Sequence, residues 1–180
     1  MFVSRAVRST LPLALVALLA GGIVSAAPAS SAVEDTLDCT GKNEVGIAPG
    51  IGTTATNQAA FQSTAPGVLE CEGVVNGKKA TGPGQYATTG QFAKNATCSI
   101  GSGKGLLRMV ISTATGIEQI DAPFTFEYPV LPIGGGPMGG KLKFENEDYA
   151  GKFTFTPIKG DCVQTPLTAI RVNDVFDFES

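Results

Sequence analysis

Apolar and polar residues alternate along four segments in the second half of this chain: 124–128, 141–145, 152–156 and 167–178. In the first of them, Phe124, Phe126 and Tyr128 are separated by the polar Thr125 and Glu127. A period of two residues is typical of a β-strand that buries one face and exposes the other. Each of the four segments is therefore predicted to be a half-buried strand, and the last is expected to carry a bulge near residues 173–174.

Turn signals separate these and further strand-like segments. Asn76-Gly77 lies between the strand-like segments 68–75 and 78–81 and suits a type I′ hairpin turn, whose two central residues need positive φ. The glycine-rich segment 101–105 lies between 97–100 and 106–113 and predicts the loop of a second hairpin. Weaker strand signals are found at 36–40 and 85–92.

No segment of the chain shows a sustained helical period with caps. Short strands at regular spacing, together with 23 glycines and 11 prolines for turns, are typical of an all-β domain. The sequence thus predicts an antiparallel β-sandwich of about eight or nine strands in two packed sheets. A closed β-barrel is the alternative.

The N-terminus has the pattern of a signal peptide. Arg5 and Arg8 precede an uncharged apolar run over 11–24, and small residues follow. The run is shorter than the roughly 20 residues that span a bilayer, which argues against a membrane anchor. We expect cleavage after Ala26, with Ala32 as the alternative, and therefore a signal peptide over 1–26, a flexible leader over 27–33 and one secreted domain over 34–180.

Charge narrows the choice of partners. The chain has 13 basic and 16 acidic residues, and cleavage after Ala26 removes two of the basic ones, Arg5 and Arg8. The exported part is then acidic, and no run of basic residues stands out along it. Phosphate contacts dominate binding to nucleic acids, so the composition argues against nucleic acid and against insertion into a membrane after cleavage.

Four cysteines, Cys39, Cys71, Cys98 and Cys162, remain in the exported part. An even number in an exported chain favours two disulfides, for which three connectivities are possible. We favour Cys39–Cys71 with Cys98–Cys162, because neighbouring cysteines often join adjacent strands. The wide spacing and the lack of histidine argue against a zinc site.

Absent residue types restrict the chemistry further. Without histidine the chain cannot build a Ser-His-Asp or Cys-His nucleophile system, so we expect no catalytic residues, no cofactor and no metal site. Glu70 and Glu72 share one face of a strand, but an exposed face beside a buried disulfide explains them more simply than a hydrolase does. The acidic turn at 145–148 raises calcium as a hypothesis, against a plain solvated turn. Segment 101–105 lacks the spacing of a phosphate-binding loop.

The loop 129–140 is the most distinctive feature of the sequence, with three prolines and five glycines. Long loops without internal structure are often functional or disordered. This loop carries four apolar residues that could contact a partner: Val130, Leu131, Ile133 and Met138. The alternative is that they cap one open end of the sandwich.

Several motifs are similar to a known group of proteins. They are 153–157, Gly160-Asp161-Cys162 and 165–168 near the C-terminus, and 39–41, 48–50 and Cys71 earlier in the chain. Together they resemble uncharacterised small secreted β-rich proteins of actinobacteria of a two-disulfide type. The resemblance implies a signal peptide, disulfides and a β-rich domain, and it implies no activity and no site residues.

The leading functional hypothesis is a secreted, non-enzymatic binding or interaction domain whose partner is an extracellular or cell-envelope protein. The first alternative is an inhibitor of secreted proteases, with a reactive loop at 129–140 or around Lys104. A carboxylate-dependent hydrolase and a carrier of a small apolar ligand follow, and the carrier requires a barrel with an internal cavity.

Overall fold

The computed structural model describes residues 35–55, 58–129, 138–146 and 148–179, and these residues form ten strands and no helix. The expected signal peptide and leader, with Val130, Leu131 and Ile133 of the loop, lie outside the described residues. The strands are β1 (Thr36–Ile51), β2 (Ala60–Ser63), β3 (Gly67–Val75), β4 (Lys78–Lys79), β5 (Pro83–Phe92), β6 (Gly101–Thr113), β7 (Gly116–Tyr128), β8 (Met138–Phe144), β9 (Tyr149–Lys159) and β10 (Leu167–Glu179).

All strand pairings are antiparallel, and together they form a closed circuit. Strands β5 to β10 pair in chain order, and β10 then pairs with β1. Strand β1 also pairs with β2 and β3, and both of these pair with β5. The predicted all-β, antiparallel fold is confirmed, with ten strands instead of eight or nine because β2 and β4 are very short. The ten strands belong to one sheet. Opposite parts of this sheet face each other across a common core, as the two layers of a sandwich do.

The interior is built from every second residue of the long strands. In β10 the even-numbered positions from 170 to 178 are buried and the odd-numbered ones are exposed, and β7 shows the same alternation towards its end. Aromatic rings fill much of the enclosed space and meet edge to face, for example Phe61 with Phe126 and Tyr86 with Phe176. Each fully buried large side chain stabilises the fold by about 1.5–3 kcal/mol.

Residues 101–105 form the first part of strand β6, so the predicted hairpin loop is wrong. Gly103 and Gly105 are register partners of Phe126 and Phe124 on β7, and all four residues face the interior. A Cβ atom added to Gly103 would lie only 2.5 Å from the ring of Phe126. The glycines therefore make room for the aromatic rings of the neighbouring strand, a cross-strand pairing that compensates for the missing side chain.

Two further expectations are corrected by the structure. Strand β1 continues far beyond the predicted segment 36–40, up to Ile51. Strand β10 runs without interruption through Asn173 and Asp174, and its register shift lies earlier, between Ala169 and Ile170. In both strands the period of two continues, but polar residues or glycine occupy interior positions where the sequence pattern requires apolar ones.

The two disulfides have the predicted connectivity. Cys39 and Cys71 are register partners on β1 and β3, and both face the core. Cys98 and Cys162 join the connection between β5 and β6 to the one between β9 and β10. The predicted type I′ turn also forms, since Asn76 has a φ of 50° and the glycine after it a φ of 69°.

Candidate functional site

Four lysines gather on the outer face of strands β6 to β9. Lys141 of β8 and Lys152 of β9 are direct register partners, and Lys143 lies two residues further along β8 on the same face, about 7 Å away. Thr125 of β7 is the register partner of Lys104 of β6 on one side and of Lys143 on the other. Lys104 and Lys143 are therefore separated by two strand spacings, or about 10 Å. All four lysine side chains are exposed.

Two adjoining depressions run beneath these lysines. The larger, of about 930 Å³, is lined by Lys141, Lys143 and Lys152. The smaller, of about 580 Å³, is lined by Lys104 and Lys143, so that Lys143 and Thr125 belong to both. We call this continuous surface, defined by its four lysines, the lysine groove. Two carboxylates also border it, Glu127 and Glu145.

The four ammonium groups form no ion pair with any described residue. The three ion pairs of the described residues lie elsewhere and are Lys78–Glu118 at 2.6 Å, Arg108–Asp121 at 2.9 Å and Arg171–Glu44 at 2.8 Å. Like charges directly opposite one another on neighbouring strands are destabilising, which applies to Lys141 and Lys152. The repulsion between Lys141 and Lys152 lowers stability, and Glu127 of β7, the other register partner of Lys141, offsets part of it.

Carboxylates gather on a different part of the outer surface. Asp38 of β1 has Asp177 of β10 as its register partner on one side and Glu72 of β3 on the other. All three side chains are exposed. Three carboxylates are thus neighbours on β3, β1 and β10, whereas the four lysines lie on β6, β8 and β9.

The loop singled out in the sequence starts and ends at the lysine groove. Pro129 and Gly139, at its two ends, line the larger depression. Met138 is 9% exposed and lies opposite Phe155 in register, so that its side chain belongs to the core. This placement matches the alternative in which an apolar loop residue folds back onto the core.

The interior of the sheet contains a cavity of about 80 Å³. Its walls are mostly aliphatic and aromatic side chains from eight strands, and the lining residues that carry polar groups are Thr88 of β5, Tyr128 of β7 and Asp174 of β10. The lining residues are Val45, Ile47, Ile51, Phe61, Thr88, Phe92, Leu107, Phe124, Phe126, Tyr128, Leu142, Phe153, Phe155, Leu167, Ile170, Val172, Asp174 and Phe176.

Asp174 is a buried acid, and one donor among the described residues forms a hydrogen bond with its side chain. The hydroxyl of Tyr86 donates to its Oδ2 at 2.5 Å. Burial raises the pKa of Asp174 to about 7, against the opposing effect of the Tyr86 hydrogen bond. Burial, with the nearby Asp174 carboxylate as a second cause, also raises the pKa of Tyr86. Burial therefore favours the protonated form of the Asp174 carboxyl.

Further polar groups lie buried near this pair. The Nδ2 atom of Asn43 donates to Ser63 Oγ at 2.6 Å, and Ser63 Oγ accepts from the backbone N–H of Thr88 at 2.7 Å. The Oδ1 atom of Asn43 is also buried, and no group in the described part of the chain donates a hydrogen bond to it. The sequence analysis missed this cluster. Its signal in the sequence is a polar residue at an interior position of an alternating strand, as with Asn43 in β1 and Asp174 in β10.

The other residues considered for catalysis or inhibition do not form a site in the structure. Glu70 and Glu72 are exposed on either side of Cys71, and neither lines the cavity or the lysine groove. Lys104 lies in the middle of a paired strand, so a reactive inhibitor loop around it is contradicted.

In the acidic turn, Asn146 Oδ1 accepts a hydrogen bond from the backbone N–H of Asp148, which uses one oxygen that a calcium ion would need. The described residues include no group of three or more possible metal ligands.

Comparison of the chain with protein-family models, with curated proteins and with solved structures finds no match in any of the three. The resemblance to secreted actinobacterial proteins stays a prediction. None of the described residues belongs to a helix of the length and apolarity needed to cross a membrane.

Proposed function

We propose that this chain is a secreted, non-enzymatic binding domain whose lysine groove holds a phosphate-bearing polymer of the cell envelope. The observation that carries the proposal is the gathering of four exposed lysines, without ion-pair partners among the described residues, on one face of a chain with an overall formal charge of −3. A local positive surface on an acidic molecule attracts an anion while the rest of the surface repels it.

The shape of the groove supports an extended ligand. Its two depressions share Lys143 and Thr125, so one chain can pass from Lys152 at one end to Lys104 at the other. The lysines are spaced about 5–10 Å apart along this path, which suits charges that recur along a polymer. A compact anion would contact only one or two of them.

The side chains at the groove favour phosphate over bases or sugar rings. Lysine binds phosphate as a flexible point charge and needs no fixed orientation. Bases, in contrast, are usually held by stacking on exposed aromatic rings. The large exposed hydrophobic residues of the described part are all aliphatic, namely Val68, Ile100, Ile117, Ile158, Val163 and Val175. A flexible polyol-phosphate chain fits such a surface best.

Secretion is part of the proposal. Two disulfides support it, since disulfides persist in oxidising compartments, and so does the signal-peptide pattern before Ala26. Mass spectrometry of the protein from culture medium would give the mature N-terminus. We expect Ala27 as the first residue, and an uncleaved chain that stays in the cytoplasm would refute this part.

The binding test uses a poly(glycerol phosphate) chain and isothermal titration calorimetry at low and moderate salt. We expect binding that weakens steeply with salt, because bound phosphates release counterions. The double substitution Lys141→Gln with Lys152→Gln should weaken it by about tenfold and reduce its salt dependence. The matched control, Lys42→Gln with Lys79→Gln, makes the same change of charge at exposed positions outside the groove and should leave the affinity almost unchanged.

Three results would overturn the proposal. The first is the absence of binding at low salt, and the second is an equal loss of affinity in the control variant. The third is equally tight binding of polyglutamate, which would show attraction by charge alone and not recognition of phosphate.

A further inference from the structure

The interior cavity shares Phe126, Tyr128 and Phe153 with the larger depression of the lysine groove, but no lysine lines it and its chemistry is different. Its walls carry eight aromatic rings, and most of the other lining side chains are aliphatic. Protein interiors are packed with few voids larger than a water molecule. A cavity of about 80 Å³ is several times larger than the space that one buried water needs.

The polarity of the lining determines which kind of ligand the cavity favours. Buried water is stable where it makes two to four hydrogen bonds, but most of this lining offers none. Atoms that line an apolar cavity lack dispersion contacts on one side, and an apolar guest supplies them. A charged ligand would lose its hydration on entering the cavity, and the lining offers too little opposite charge to offset this free-energy cost. The cavity therefore favours an uncharged molecule with an apolar body.

Aromatic walls narrow the choice further. Phe126 meets Phe61, Phe92 and Phe153 at ring-plane angles above 80°, and edge-to-face contacts of this kind are favourable for aromatic pairs. A flat ring placed among them can make the same type of contact. An apolar cavity of about 150 Å³ in another protein takes up benzene, and the cavity here has about half that volume. A single ring therefore fits only if the lining side chains move outward when it binds.

One side of the cavity is polar. Asp174 lies in the lining, and the Tyr86 hydroxyl occupies only its Oδ2 atom. Thr88 is also polar, and the hydroxyl of Tyr128 already donates a hydrogen bond to the backbone oxygen of Thr97. A hydroxyl group on the guest can donate to a carboxylate or accept from a carboxylic acid, so it suits Asp174 in either protonation state.

We infer that the interior cavity is a binding site for a small, uncharged aromatic molecule with one hydroxyl group, whose ring lies among the phenylalanines and whose hydroxyl is bound by Asp174. This site makes the chain a carrier or sensor of such a molecule, in addition to the proposed binding at its outer surface. The two proposals do not depend on each other, because no lysine of the groove lines the cavity.

The test follows methyl signals by NMR while phenol or toluene is added at millimolar concentrations to the intact oxidised protein. Methyl groups of Ile47, Leu107 and Ile170 line the cavity and should shift, and those of the exposed Ile117 and Ile158 serve as internal controls. We expect phenol to bind about fivefold more tightly than toluene, as one additional hydrogen bond implies. Absence of shifts at the lining residues, or equal shifts at the controls, would refute the site.

A second comparison tests the role assigned to Asp174. In the variant Asp174→Leu the advantage of phenol over toluene should vanish while toluene still binds. If this variant does not fold, the comparison of the two ligands in the unmodified protein decides alone. Equal affinities there would refute the hydrogen bond to Asp174, and binding of phenol only at exposed residues would refute the cavity as its site.

Discussion

The hydroxyl of Tyr86 donates a hydrogen bond to Oδ2 of Asp174 across the interior, from β5 to β10, two strands that do not pair with each other. The ring of Tyr86 reaches this acid by lying over Gly41 of β1, where an added Cβ atom would come within 2.7 Å of it. Gly41 is itself the register partner of Asp174. One hydrogen bond thus joins opposite parts of the sheet over a glycine that leaves room for it.

The buried acid should make the stability of the fold depend on pH. The pKa of Asp174 is raised from 3.8 to about 7, so the folded state holds the proton more tightly than the unfolded state does. The contribution of this group is therefore most favourable below about pH 4 and is lost as the pH rises to about 7, by up to roughly 4 kcal/mol.

The substitution Asp174→Asn keeps the shape of the side chain and removes its titration. Urea unfolding at pH 4.5 and pH 8 should show a smaller loss of stability in this variant than in the unmodified protein. Parallel pH profiles of the two proteins would contradict the assignment. The exposed substitution Asp177→Asn is the control, because it removes a carboxylate three residues away on the outer face.

The substitution Tyr86→Phe should raise the pKa of Asp174 further, because the hydroxyl of Tyr86 stabilises the charged carboxylate. Loss of the buried hydrogen bond should also destabilise the fold by about 1–3 kcal/mol. The pKa can be followed by ¹³C NMR of the Asp174 carboxyl carbon. An unchanged or lower pKa in the variant would show that the hydrogen bond does not act on this acid.

The interior glycines of β6 should not tolerate a side chain. A Cβ atom at Gly105 would lie 2.6 Å from the backbone oxygen of Thr89 and 2.8 Å from the ring of Phe124. We expect Gly105→Ala to destabilise the protein by about 1–3 kcal/mol, because backbone on one side and a packed ring on the other must shift.

The matched control for that substitution is Gly52→Ala, at a glycine with nothing within 4 Å of the added atom. It should change the stability by less than about 0.5 kcal/mol. Urea unfolding of both variants measures the difference. Equal effects at Gly105 and Gly52 would mean that the glycine positions facing the rings are not required for packing.

The two disulfides should differ in their resistance to reduction. Cys39 and Cys71 are both buried, whereas Cys162 is only partly buried in a connection between strands. Mild reductant under native conditions should therefore open Cys98–Cys162 first, as measured by alkylation and mass spectrometry. Earlier labelling of Cys39 and Cys71 would contradict this order.

Loss of either bridge should be costly for the fold. The bridges close loops of 32 and 64 residues, so loop-closure entropy gives a stabilisation of about 4 kcal/mol for each. Unfolding of the double variant Cys98→Ala with Cys162→Ala would measure one of the two contributions. A change below 1 kcal/mol would show that the loop is already constrained in the unfolded state.

The sequence predicted best those strands whose interior positions are apolar. The alternation of Phe153 and Phe155 with polar residues was sufficient to predict β9. The same alternation at Phe176 and Phe178 was sufficient to predict the end of β10. Strand β1 beyond residue 40 was missed because Gly41 and Asn43 face the interior there, and neither carries an apolar signal. The start of β6 was missed for the same reason, since its interior positions are glycines whose bulk is supplied by rings on β7.

The candidate sites could not be predicted from the sequence, because their residues come together only through the register of the paired strands. Lys104 and Lys143 are 39 positions apart in sequence, and only the pairings of β6, β7 and β8 place them on one row. The contact of Tyr86 with Asp174 likewise spans 88 residues. The disulfide connectivity could be predicted because it follows the order of the cysteines along the chain.

The pairing of β1 with β10 places the two ends of the described domain side by side, with Thr36 opposite Glu179. A short linker could therefore join residues 36 and 179, and new ends could be introduced at the exposed Asn76-Gly77 turn without separating any residue from its strand partner. Such a circular permutant should fold to the same sheet. It would show that the chain's starting point is arbitrary for this architecture, provided that both disulfides still form.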